Sequence, residues 1–68
     1  MSIAKVIEVL AEGDSIEDAV ESAVSDASTT VRGIKHVYIE GLQAIVENNQ
    51  VNKYRINAKL TFVVDDAA

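Results

Sequence analysis

The hydrophobic period changes along the chain, and each change marks an element. Lys5–Leu10 (K-V-I-E-V-L) is rich in β-branched residues and reads as a first strand. Glu12, Gly13 and Asp14 follow as a turn. From Ser15 to Val31 the period becomes helical. Ile16, Ala19, Val20, Ala23, Val24, Ala27 and Val31 fall within an arc of roughly 140° on a helical wheel, which makes a core-facing stripe. Glu17, Asp18, Glu21, Ser25 and Asp26 occupy the opposite face. Asp14 or Ser15 can cap this helix, and Ser15 with Asp18 has capping-box-like spacing. Acidic residues in the first turn suit the helix dipole, and Gly33 is read as the C-cap.

Ile34–Glu47 reads as a second strand. Val37 and Ile39 alternate with His36, Tyr38 and Glu40, and the apolar phase then shifts to Leu42, Ala44 and Val46. A shift of phase at Gly41 predicts a β-bulge. Asn48-Asn49 predicts a two-residue hairpin turn, because Asn tolerates positive φ. Gln50–Val64 is a third strand with strict alternation. Tyr54, Ile56, Ala58, Leu60 and Phe62 share one face, and Lys53, Arg55, Asn57, Lys59 and Thr61 share the other. Asp65–Ala68 reads as a short, mobile acidic tail.

The expected fold is α+β, in the order β-α-β-β, as a single domain over residues 1–68. Strands of about fourteen residues would span roughly 45 Å. A helix of about seventeen residues would span only roughly 25 Å. One helix therefore leaves Leu42, Ala44, Ile45 and Val46 in water. An exposed apolar hairpin with a free edge is an aggregation hazard, which a closed symmetric oligomer removes.

Composition points the same way. A 68-residue domain buries a modest core and normally needs a disulfide, a metal or a partner. The chain has no Cys and one His, so disulfides are excluded and a structural zinc site is disfavoured. Self-association is what remains. The net charge of −5 disfavours nucleic acid and anionic membrane surfaces. No apolar run is long enough to span a bilayer, and the expected location is cytoplasmic.

Several stretches together resemble the dodecin family. They are K-V-I-E-V at Lys5–Val9, S-I-E-D-A-V at Ser15–Val20, T-V-R-G-I at Thr30–Ile34 and K-Y-R-I-N-A-K-L-T-F at Lys53–Phe62. From Ser15 to Val64 the family pattern lies on the chain without a gap. The resemblance implies a three-stranded antiparallel sheet wrapped around one helix, assembled as a hollow homododecamer. It also implies flavin sequestration, with two isoalloxazine rings stacked between symmetry-related tryptophans and a glutamine on the neighbouring strand bonded to the flavin's polar edge. Here His36 stands at the tryptophan position and Arg55 at the glutamine position. Ala11, Glu12 and Gly13 replace the family's Gly-Thr-Ser turn.

The candidate site residues are therefore His36, Tyr38 and Arg55, on a face that the helix does not cover. His36 can serve as a stacking platform with less apolar area than indole, or as a metal ligand when neutral; otherwise it is a surface or interface histidine. Arg55 offers a fork of donors to a carboxylate, a phosphate or a flavin carbonyl; otherwise it pairs with Glu40 across the hairpin or across an interface. Tyr38 can stack on a ligand or pack at an interface. Glu17, Asp18 and Glu21 could gather a hard cation if several chains converge, but a solvated helix face accounts for them.

Two readings follow from the resemblance. One is a store for riboflavin, FMN or FAD. The other is an assembly of the same fold that takes a metal or an anion, or serves as a scaffold. An enzyme is not expected, because the sequence has no Cys nucleophile, no nucleotide-binding glycine loop and no metal-ligand cluster.

Overall fold

The computed structural model describes residues 2–65. The elements run β1 (Ser2–Gly13), α1 (Ile16–Ala27), β2 (Ile34–Glu47) and β3 (Gln50–Asp65). They build one three-stranded sheet in the order β1-β3-β2, with both pairings antiparallel. The long third strand sits in the centre because it alternates most strictly and can satisfy a neighbour on each side.

β1 is longer than its apolar run suggests. The predicted turn at Glu12 and Gly13 is strand, with Glu12 opposite Arg55 and Gly13 opposite Tyr54. Pairing along the whole of β3 overrides local turn chemistry here. At Gly13 the helix start comes so close that an added Cβ would lie 2.5 Å from the Ala19 nitrogen.

The helix begins as expected, with Ser15 as N-cap and its hydroxyl oxygen accepting from the Asp18 N–H at 3.0 Å. It ends at Ala27, four residues before the predicted Val31. The hydroxyls of Ser28, Thr29 and Thr30 donate to the carbonyls of Ser25, Asp26 and Ala27. Local bonds of this kind compete with helix propagation. Gly33 is consequently not the C-cap. Its φ of +75° turns the chain into β2, where its carbonyl accepts from the Val63 N–H at 3.2 Å.

The hairpin matches expectation. β2 spans the predicted residues, and Asn48 and Asn49 take φ of 52° and 62°, the signature of a type I′ turn. A register shift falls between Ile39 and Gly41, and others lie near Ile34/His36 and Ile45/Val46. Asp65, assigned to the tail from sequence, closes β3, and the remaining tail residues 66–68 lie outside the described residues.

The core is the contact between the helix stripe and one sheet face. Ala19, Ala23, Ala27, Ile56, Ala58, Leu60 and Phe62 are buried. Four of these seven residues are alanines, so the buried apolar volume is small. Ile7, Val9, Ala11, Val20, Val24 and Val37 pack at its margin. The sheet is about three times longer than the helix: the chain extends 56 Å, whereas twelve helical residues span roughly 18 Å. The helix lies chiefly over β1 and β3. Leu42, Val46 and Val51 at the far end of the hairpin are at least half exposed.

Candidate functional site

The sheet face away from the helix carries the candidate residues. Strand alternation places Val6, Glu8, Leu10 and Glu12 of β1 on it, beside Thr61, Lys59, Asn57 and Arg55 of β3. The β2 partners of those β3 residues are His36, Tyr38, Gly41 and Gln43. The bulge lets Glu40 reach this face as well, and Lys59 Nζ lies 3.1 Å from its Oε2.

His36 sits opposite Thr61, and Tyr38 sits opposite Lys59. Both are exposed, Tyr38 to 65%. They form an open aromatic patch at one end of the face. Arg55 lies four residues along β3 from Lys59, or roughly 13 Å. Within one chain, therefore, the three predicted residues share a face but not a pocket.

Arg55 does not pair with Glu40 across the hairpin. Its Nε and Nη2 donate to Glu12 Oε2 at 2.9 and 2.6 Å. The reason is strand order: β3 is central, so Arg55 has a neighbour on β1 as well as on β2, and the carboxylate directly opposite on β1 is nearest. Lys59 takes Glu40 instead. The hydrogen bond from Lys59 to Glu40, followed by the carboxylate's charge, raises the Lys59 pKa above its ordinary 10.5.

Around Arg55 the face is concave. A depression of about 330 Å³ is lined by Leu10, Gly41, Leu42, Gln43, Arg55 and Asn57. Two adjacent rows of the sheet build it: Leu10–Asn57–Gly41 and Glu12–Arg55–Gln43. Gly41 contributes no side chain, which opens the β2 end of the first row. Asn57 Oδ1 is shielded from solvent and has no hydrogen-bond partner among the described residues. Arg55 spends two of its five N–H groups on Glu12 and keeps three.

Sequence reasoning missed Glu12, Leu10 and Gln43 as lining or positioning groups. The period-two run Val6, Glu8, Leu10, Glu12 was the available signal, but it is legible only if β1 continues to Gly13. The acidic residues Asp18, Glu21 and Asp26 line a separate shallow groove on the helix surface, where they are exposed. Among the described residues, no group of three or more His, Cys, Asp or Glu is arranged to hold a metal. Among the same residues, no helix is long and apolar enough to cross a membrane.

The chain is similar in fold to several solved dodecins. The Streptomyces coelicolor dodecin superposes with a TM-score of 0.87 at 27% identity, covering 97% of this chain and 96% of that one. The Streptomyces davaonensis dodecin gives 0.88 at 14% identity, covering 96% and 97%. An arginine-to-alanine variant of the Thermus thermophilus dodecin gives 0.89 at 16% identity, covering 98% and 100%. A search of curated protein sequences finds no match. The dodecin family profile matches residues 3–65, nearly the whole sequence, and the chain belongs to the dodecin family.

Proposed function

We propose that this protein sequesters a flavin (riboflavin, FMN or FAD) on the helix-free face of a self-assembled particle, and that it is a cytoplasmic binding protein rather than an enzyme. The observation that carries this reading is the exposed aromatic patch of His36 and Tyr38 on the uncovered face of a dodecin fold. The residues present fit a planar ring. Tyr38 and His36 offer π-faces for stacking. The three unspent N–H groups of Arg55 suit ring carbonyls.

The separation of roughly 13 Å between the aromatic patch and Arg55 matters here. A ring stacked on His36 and Tyr38 of one chain can take an Arg55 from another copy, since the two features occupy separate parts of one chain's face. Self-association therefore completes the site, and a homododecamer is the assembly that the family resemblance implies. The small alanine-rich core and the exposed Ile3, Val6, Leu10, Ile39, Leu42, Val46, Val51 and Val64 support the same conclusion. A monomer with this much exposed apolar surface is poorly stabilised and prone to aggregate.

The test is a riboflavin fluorescence titration on particles whose mass has been fixed by light scattering. Saturable quenching at a fixed ligand-to-subunit ratio is expected, and His36→Trp should tighten binding by enlarging the stacking surface. A particle of dodecamer mass that leaves riboflavin fluorescence unchanged, with or without His36→Trp, would reject the flavin reading. A metal-binding, anion-binding or purely structural assembly would then take its place.

A further inference from the structure

We infer that Lys35 holds the terminal phosphate of the bound flavin, so that the aromatic patch takes FMN in preference to riboflavin. The inference rests on the flavin reading above and adds to it the member of that ligand class that fits best.

A register shift places Lys35 beside the patch. Ile34 pairs with Phe62 and His36 with Thr61, which leaves Lys35 as the extra residue of a bulge. The shift at Gly41 has the same form: Ile39 pairs with Ala58, Gly41 with Asn57, and Glu40 is the extra residue. There the extra side chain reaches the helix-free face, because Glu40 Oε2 lies 3.1 Å from Lys59 Nζ. Lys35 occupies the equivalent place next to His36, is exposed, and carries its ammonium on a flexible four-carbon stem. Regular alternation would send Lys35 to the side opposite His36. The bulge instead offers a cation to the ring-stacking face.

The neighbouring charges leave Lys35 available to a ligand. Glu12 holds Arg55 and Glu40 holds Lys59, whereas Lys35 has no ion pair among the described residues. Arg32, close in sequence, lines a groove with Val31 and Phe62 on the helix side. Glu8 is the carboxylate that opposes a phosphate here, since it is exposed and has no ion pair among the described residues. It lies opposite Lys59 on β1, two strand spacings from β2, or about 10 Å. That exceeds the screening length of about 8 Å at physiological ionic strength, so Lys35 sets the local charge at His36. A phosphate monoester carries a charge of about −1.5 to −2 at neutral pH and accepts through three oxygens, which suits the three donors of an ammonium. Riboflavin has the same ring but ends in a hydroxyl and forgoes this contact. The phosphate hangs from the ring on a flexible chain. The cation that meets it must therefore stand beside the stacking surface, as Lys35 does, rather than within it.

The experiment titrates the assembled protein with riboflavin and with FMN by fluorescence, at low and at high sodium chloride. At low salt FMN should bind about fivefold more tightly, the upper end for one exposed ion pair, and the gap should close at high salt. Lys35→Gln should bring the two affinities together without weakening riboflavin, whereas Lys35→Arg should keep the preference. FMN bound no more tightly than riboflavin by the unmodified protein would overturn this inference and leave flavin sequestration standing. A preference that survives high salt or Lys35→Gln would assign the phosphate to other contacts and overturn it too. Binding of neither flavin by the unmodified protein would overturn both readings. The comparison between ligands needs no variant, so a misfolded Lys35→Gln protein does not protect the inference.

Discussion

Gly13→Ala should be among the most damaging single-methyl changes in this protein. The added Cβ would lie 2.5 Å from the Ala19 nitrogen and 2.8 Å from both the Asp18 carbonyl carbon and the Asp18 Cβ. Two of these three atoms are backbone in the first turn of α1, so no rotamer change relieves the contact. Either the helix start or the end of β1 must move. Overpacking of this kind costs about 1–3 kcal/mol, and immovable backbone places the change at the upper end. Stiffening the unfolded chain returns about 0.4–1 kcal/mol. The net loss is then about 2 kcal/mol, a fall in melting temperature of roughly 8–16 °C for a domain of this size. The assay is thermal unfolding followed by circular dichroism, with protein concentration held constant because assembly couples to stability. Gly41→Ala is the control. Its Cβ would meet only the Asn57 Cβ, at an ordinary 3.9 Å, and its φ is not positive. That variant should melt close to the unmodified protein while projecting a methyl into the depression. If Gly13→Ala also melts unchanged, the close approach of α1 to β1 is wrong.

Three further outcomes are expected. Ser15→Ala removes the acceptor of the Asp18 N–H and should lower stability by about 1 kcal/mol in chemical denaturation. Leu60→Ala empties a fully buried site in a core otherwise rich in alanine, and should cost about 2–5 kcal/mol by the same assay. The Lys59–Glu40 pair predicts a pH dependence. A lysine whose folded pKa is raised contributes its stability fully below the ordinary 10.5 and loses it as pH rises through the raised value. Melting temperatures of the unmodified protein and Glu40→Gln should therefore differ slightly at neutral pH and converge in strong alkali. A difference that persists there would assign the effect to something other than the lysine charge.

The sequence carried the architecture because most elements obey local rules that agree with one another. Strict alternation fixed β3, the Asn pair fixed the hairpin, and the phase change exposed the bulge at Gly41. The errors lie where pairing or local side-chain bonding outweighs pattern. β1 runs three residues past the apolar stretch because β3 offers partners as far as Tyr54. The helix stops early because three consecutive hydroxyl residues bond the carbonyls that a further turn would use. The shortened helix strengthens the case for assembly, since it leaves still more of the hairpin uncovered than a helix reaching Val31 would.

The site was less legible than the fold, for a topological reason. Composition and alternation identify which residues share a face, but only strand order says which of them touch. Reading the hairpin alone gives Arg55 one neighbouring strand, and Glu40 is then its natural counter-charge. Once β3 is central, Arg55 gains β1, and Glu12 lies directly opposite. That exchange alters the chemistry. An arginine shared with Glu40 would sit beside the aromatic patch and carry that patch's charge. An arginine held by Glu12 sits roughly 13 Å along the face, beside Asn57 and the open position at Gly41. The aromatic surface and the polar pocket thus become separate features of one chain. On the flavin reading proposed above, a ligand that uses both would bridge separate features, and a second copy is one way to bring them together. The strand order that sets the arginine's partner thus ties the proposed binding to the proposed assembly.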